Sequence, residues 1–230
     1  MEALRAAHEA VLRRIAAAAH RASRDPADVE LVAVSKSVNA SRLRAAVAAG
    51  LTTFGENRVQ EAQAKAGEVP GATWHLVGHL QSNKAARAVE LFDVVESVDS
   101  VELGTRLAML AHDVRDGRPL PIYLQVNVDR DPHKQGFAPD ELDVALTLLS
   151  TIAGLDITGL MTVGRLVDRA DDARPTFRAL RELSTQMRQS HGGLGGGLSM
   201  GMSDDFEVAV EEGATVVRVG RALFGNRPSD

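Results

Sequence analysis

The first two dozen residues place apolar side chains at Leu4, Val11, Leu12 and Ile15, on one stripe among alanines and charges. That spacing predicts an amphipathic helix over residues 2–24, ended by Asp25-Pro26. Downstream the pattern changes. Short runs rich in aliphatic and β-branched residues alternate with Ala- and Leu-rich stretches of helical character, repeating every ~25 residues. The runs cover residues 31–35, 51–54, 73–77, 92–95, 121–128, 154–161, 197–200 and 215–219, with helices expected at residues 41–49, after Gly55 and between the later runs.

Strands separated by helices need crossover connections and hence a parallel sheet. Eight such units in a chain near the ~250 residues typical of the fold predict a (β/α)8 TIM barrel with an extra N-terminal helix; a doubly wound open sheet is the alternative. The seventh strand has the weakest pattern, because Gly192-Gly193-Leu194-Gly195-Gly196-Gly197 reads equally well as a flexible loop. No linker or low-complexity tract interrupts the alternation, so residues 1–230 are expected to form one domain.

Composition narrows the function classes. A hydrophobic content of 44% allows a full core, and with aromatics at 3% that core must be aliphatic. The net charge of -5 and the absence of a basic block argue against nucleic-acid binding. No run approaches the ~18 uninterrupted apolar residues of a membrane span, and Glu2, Arg5, Glu9, Arg13 and Arg14 break up any signal-peptide core. A cytoplasmic protein, acting as a monomer, is expected. With no cysteine, disulfides, thiolate metal sites and thiol nucleophiles are excluded.

In a TIM barrel, chemistry sits where strands end and the following loops begin. That rule selects Lys36, Gly55-Glu56-Asn57, Gly78-His79, Glu96-Ser97, residues 129–136, Thr162-Val163-Gly164, residues 199–203 and Gly220-Arg221. Lys36 stands out further, because the chain uses four lysines against 22 arginines. Where generic positive charge is so consistently Arg, an amine at a strand end suits chemistry that only an amine performs, losing a proton and attacking a carbonyl; a plain surface lysine is the alternative. The loops after strands 7 and 8, Ser199-Met200-Gly201-Met202-Ser203 and Gly220-Arg221-Ala222, occupy the customary phosphate position of barrels. Their glycines allow close backbone approach and their serines supply hydroxyls. The competing reading is ordinary helix capping by Ser203 or Asp204, and Asp204 and Asp205 would repel a phosphate unless turned away.

Other chemistries lack their signatures. His75 and His79 lie along one strand, roughly 13 Å apart, which discards a zinc site. Neither a dinucleotide nor a P-loop fingerprint is present, nor a nucleophile elbow. Lys84, in Gln81-Ser82-Asn83-Lys84, is expected at a helix start capped by Ser82. Lys134, in the loop after strand 5, is expected as a solvated residue or as a second amine at the same mouth.

Taken in order, Ala33-Val34-Ser35-Lys36, Phe54-Gly55-Glu56-Asn57, Trp74-His75 with Gln81-Ser82-Asn83-Lys84, Lys134-Gln135-Gly136-Phe137, Leu198-Ser199-Met200-Gly201-Met202-Ser203-Asp204-Asp205 and Val217-Arg218-Val219-Gly220 resemble the pyridoxal phosphate homeostasis protein family. This family consists of single-domain relatives of the alanine racemase barrel, and the resemblance spans about residues 30–225. It implies pyridoxal 5'-phosphate (PLP) held as an internal aldimine by Lys36. The phosphate would lie near Ser199, Ser203, Gly220 and Arg221, the pyridine nitrogen would face Arg218, and Asn57 would belong to the cofactor-binding set. It also implies buffering and delivery of the cofactor, with PLP-dependent enzymes as clients. Two departures stand out. Arg221 occupies a position often Ser or Thr in the family, and Thr162-Val163-Gly164-Arg165 replaces an expected Pro-containing loop.

A racemase needs bases on both faces of the cofactor, usually a lysine and a tyrosine delivered by a second β domain. No such domain is expected within these 230 residues, and the only tyrosine, Tyr123, falls toward the start of its strand, at the wrong end for chemistry. A binding protein without substantial turnover is therefore expected, with a weak racemase or transaminase-like enzyme as the alternative. An interaction or signalling protein using the cofactor as an effector stays open.

Overall fold

In the computed structural model, which describes residues 2–165 and 167–225, the N-terminal stripe forms α1 (Glu2–Arg21), burying Leu4, Val11, Ile15, Ala18 and Ala19. Met1, Leu166 and residues 226–230 of the expected 1–230 domain lie outside the described residues. The helix ends at Arg21, short of residue 24, because Ser23 turns to a left-handed φ of 55°. Asp25 caps a separate 3-10 turn, Pro26–Asp28, accepting from the Ala27 N–H at 2.9 Å.

Strands and helices then alternate: β1 (Glu30–Val34), α2 (Ala40–Ala48), β2 (Thr53–Glu56), α3 (Val59–Gln63), β3 (Thr73–Leu76), α4 (Ala85–Leu91), β4 (Val94–Val98), α5 (Val101–Val114), β5 (Leu120–Gln125), α6 (Leu142–Leu149), β6 (Leu155–Met161), α7 (Arg174–Ser190), β7 (Gly197–Ser199), α8 (Phe206–Glu211), β8 (Val216–Val219) and α9 (Arg221–Phe224). Each strand pairs in parallel with the next, and β8 returns to β1, closing the barrel. The fold is thus the (β/α)8 barrel, and the open-sheet alternative falls.

Boundary shifts have physical causes. The apolar runs at 51–54 and 92–95 begin before their strands because Leu51 and Phe92 finish helices: the Leu51 N–H bonds Ala46 O and the Phe92 N–H bonds Ala88 O, while both side chains pack in the core. β5 stops at Gln125, short of 128, since Asn127 folds into the next loop and its Oδ1 accepts from the Asp131 N–H at 3.0 Å. The seventh strand exists, three residues long, but it begins only at the last glycine of the run. Gly197 is required there by close approach, since a Cβ would lie 2.8 Å from both Tyr123 Cε1 and Thr158 O.

Period-two alternation sorts the side chains. Ala33, Leu76, Val95, Ile122, Leu160 and Val217 face the helix layer, in one large aliphatic core. Val32, Tyr123, Met161 and Val216 pack separately inside the barrel. Above that inner layer the barrel is filled by polar residues.

Candidate functional site

The loops after β1, β6, β7 and β8 meet at the C-terminal mouth of the barrel and enclose a cleft of about 250 Å³. Register explains the meeting: β1 and β8 pair with Val32 opposite Arg218 and Ala33 opposite Val219, so Lys36 and Gly220 emerge side by side. Lys36, Ser203, Arg218, Gly220 and Arg221 all line this cleft, as do Arg165, Asp204 and Asp205. Five of the seven residues singled out from the sequence are therefore brought together.

Loops 7 and 8 touch directly. The Gly220 N–H donates to Ser203 Oγ at 3.3 Å. Neither Ser203 nor Asp204 caps α8: the residue at that position is Asp205, whose carboxylate bends back to accept from the Met202 N–H at 2.6 Å. Burial pushes the Asp205 carboxyl above its ordinary value, against that bond and the charge of Arg218. Asp204 pairs with the Arg221 guanidinium at the rim. Both acids are thus engaged by partners. Gly201 lets loop 7 pass under α8, with φ 92° and no room for a Cβ, which would stand 2.5 Å from Ala209 Cβ.

Beneath the cleft, Arg218 belongs to a buried network. Its Nη2 donates to Thr162 O at 2.7 Å and its Nη1 to Ser199 Oγ. Ser199 in turn donates to Glu96 Oε2 at 2.5 Å, and His75 Nδ1 lies 2.6 Å from Glu96 Oε1. A carboxylate only accepts, so Nδ1 carries the proton. Burial alone would push the imidazole down, but the bond to and charge of Glu96 outweigh it and hold His75 above its ordinary value. Burial would likewise raise Glu96, yet His75, Arg218 and Ser199 together hold it below the usual range. Burial lowers Arg218, opposed by Glu96 and Asp205; a guanidinium nevertheless stays cationic. The Ser199 hydroxyl, between Glu96 and Arg218, is buried under the cleft and does not line it.

Asn57 is placed elsewhere, in an adjoining cleft of about 660 Å³ between the loops after β2 and β3, with Arg58, His79 and Lys84. Lys84 does stand at a helix start, but without the expected Ser82 cap, since the chain enters α4 through the 3-10 turn Ser82–Lys84. Lys134 is not a freely solvated side chain. Its Nζ donates to Val163 O at 3.1 Å and Gly164 O at 2.9 Å, which ties loop 5 to loop 6 and fixes the proline-free Thr162–Arg165 segment. His75 points into the barrel, whereas His79 sits at the rim against Asp99. Tyr123 lies at the opposite end, its hydroxyl against Gly197, and burial raises its pKa.

Two buried residues have no role that the sequence alone assigns. His75 was weighed only as a metal ligand, although its position beside strand-end Glu96 was available. Lys65, one of only four lysines, is buried against Glu56, and the bias against lysine that marks Lys36 marks it too.

The class of this barrel is that of the alanine racemase N-terminal domain, whose family model matches residues 8–228. Solved alanine racemases share that fold, one from Clostridium difficile superposing with a TM-score of 0.70 at 15% identity over 95% of this chain and 56% of its own. Nearer relatives cover both chains almost entirely. The pyridoxal phosphate homeostasis protein of Pseudomonas aeruginosa is 42% identical over 94% of this chain and 93% of its own length. PipY of Synechococcus elongatus, solved with PLP bound, is 43% identical with a TM-score of 0.81, covering 94% of this chain and 100% of that one. The chain belongs to the pyridoxal phosphate homeostasis protein family.

Proposed function

We propose that the cleft binds PLP covalently and reversibly, with Lys36 as the Schiff-base amine, and that the protein buffers the cofactor and delivers it to PLP-dependent client enzymes in the cytoplasm. The observation that carries this is the convergence of Lys36, Arg218 and the Ser203–Gly220 contact on one cleft. PLP supplies an aldehyde that condenses with an amine, releasing water and leaving a C=N bond that water or a second amine reopens. The donor set suits it. Lys36 offers the amine, Ser203, the Gly220 backbone and Arg221 offer donors for a phosphate, and Arg218 offers a permanent cation for the ring nitrogen. Ser199 acts from below, orienting Arg218, and Asn57 borders the site from the neighbouring cleft. The relatives' names and the PLP-bound PipY structure support the same cofactor.

Binding without substantial turnover is the reading favoured by Arg218 and Tyr123. A fixed cation beside the pyridine nitrogen disfavours its protonation and so weakens the electron sink that racemisation uses. Tyr123, buried at the far end of the barrel, is out of place as a second base. The purified protein mixed with PLP should show an imine band that borohydride removes, leaving an adduct on the peptide containing Lys36. With L-alanine in deuterated water it should show neither appreciable α-proton exchange nor D-alanine. No band would defeat the cofactor assignment, and Lys36-dependent D-alanine formation would establish the racemase alternative.

The phosphate should dominate affinity. Charge-assisted hydrogen bonds contribute ~1.5–3 kcal/mol each, so pyridoxal is expected to bind at least about tenfold more weakly than PLP in competition. Ser203→Ala should weaken the phosphorylated form more than the unphosphorylated one. Equal binding of the two vitamers would remove the phosphate from loops 7 and 8.

A further inference from the structure

Ser35, the residue before Lys36, has every polar atom engaged. Its N–H donates to Gly55 O on β2 at 2.9 Å, and its hydroxyl donates to Glu56 Oε1 at 2.6 Å. Its carbonyl accepts twice, from the Val38 N–H at 2.9 Å and from Lys65 Nζ at 2.9 Å. Lys65 closes the circuit with a 2.7 Å ion pair to the same Glu56 oxygen. Glu56 shares the outward face of β2 with Phe54, so this cluster lies between the barrel wall and α3, outside the cleft.

A buried ion pair is an uneconomical way to fill such a wall, because desolvation offsets most of the attraction and apolar side chains of similar volume often serve as well. Burial raises the Glu56 carboxyl above its ordinary value, opposed by Lys65 and Ser35 and reinforced by the neighbouring Glu61 carboxyl, and Glu56 Oε2 meets no donor group among the described residues. What the pair does achieve is geometric. The turn it grips contains Ser37 at φ 66°, a left-handed conformation that a non-glycine residue holds only when its surroundings impose it. Lys36 itself is exposed and lines the cleft without a side-chain hydrogen bond to any described residue, so the turn sets where its amine starts from.

We propose that Lys65, held by Glu56, is a positioning residue for Lys36: its ammonium anchors the Ser35 carbonyl so that the turn presents the Lys36 amine to the cleft. This rests on the reading of Lys36 as the imine-forming amine. It assigns a task to the one buried lysine among the described residues, which does not line the cleft.

The test compares full-length wild type, Lys65→Met, Lys65→Arg and the double variant Lys65→Met/Glu56→Gln in three measurements. These are the rate of imine-band formation with PLP, the affinity for pyridoxine 5'-phosphate, which carries an alcohol in place of the aldehyde, and amide hydrogen exchange across residues 35–39 without cofactor. Lys65→Met should form the imine about tenfold more slowly, the scale of a lost buried hydrogen bond, while binding pyridoxine phosphate within about twofold of wild type. Exchange should accelerate at residues 35–39, and Lys65→Arg should recover part of both effects. A folded Lys65→Met with the wild-type imine rate overturns the proposal, as does a parallel loss of pyridoxine phosphate affinity, which would mark a merely structural role. Should Lys65→Met fail to fold, the double variant Lys65→Met/Glu56→Gln, which removes the anchor without leaving an unpaired buried carboxylate, decides it by the same readouts: slowed imine formation supports the positioning role and an unchanged rate overturns it. If wild type forms no imine, the proposed function fails on its own account. Exchange then judges the anchor separately, unchanged exchange at 35–39 overturning it and faster exchange confined there supporting it.

Discussion

Lys36→Ala is expected to abolish the visible imine band and the borohydride-trapped adduct under conditions where wild type forms both fully. Four lysines exist, and geometry separates them. Lys65 is buried in its pair with Glu56, and Lys84 lines the neighbouring cleft. Lys134 is the rival at the same mouth, but its ammonium would have to abandon two carbonyls, Val163 O and Gly164 O. At roughly 1.5–3 kcal/mol for each such bond, an adduct there should form at least about a hundredfold more slowly. Peptide mapping of the variant after borohydride checks this. A full band with the adduct on Lys134 or Lys84 would show that Lys36 is not the principal site, whereas a slow trace on Lys134 is what its tethered amine allows.

The barrel was legible because its signal repeats. Apolar runs at 31–35 or 215–219 are individually ambiguous, but eight of them at even spacing, each followed by a helical stretch, leave few arrangements open. Boundaries were less legible wherever an apolar residue serves a helix end. Leu51 and Phe92 look like strand starts, yet they are helix-terminating residues buried in the same core. The Gly192–Gly197 run hid the start of a strand for the opposite reason: hydropathy carries no trace of the contact with Tyr123 that makes glycine necessary at residue 197.

The site was legible where it follows from strand ends. Lys36, Ser203, Gly220 and Arg221 close strands or open the next loops, and the barrel rule brings such positions to one mouth. Arg218 entered through family resemblance, since nothing in a Val217-Arg218-Val219 run says which face meets the cleft. The inner network was not legible in outline, because it joins residues as far apart as Glu96 and Ser199 through one bond across the barrel. Ser199 fell on the correct loop, but its role depends on what its hydroxyl meets. Asn57 satisfied the same strand-end rule and still opens to the next cleft, because a mouth ringed by eight loops holds more than one hollow.

Glu96→Gln should be the most destabilising conservative change inside the barrel. Glu96 faces His75 at 2.6 Å and Ser199 at 2.5 Å, with Arg218 Nη1 3.8 Å away, and is fully buried. Gln preserves shape but removes the charge that most strongly opposes two buried cations, and breaking a buried pair from one side costs about 3–5 kcal/mol. The pH dependence follows from the directions of the shifts. His75 is raised above its ordinary 6.5, so its contribution is complete below that value and is lost as pH rises through the folded-state value. Glu96 is lowered below its ordinary 4.5, so its contribution is present above that value and is lost as pH falls through the folded-state value. Wild type should therefore exceed the variant most between those limits. Above them the gap narrows to what Arg218 alone supplies, because in the variant a buried His75 without its counter-ion is already neutral. Denaturant unfolding of both proteins from about pH 5 to 9 measures the gap directly. A difference that is flat across this range would deny the His75–Glu96 ion pair, and no difference at all would deny that Glu96 balances Arg218.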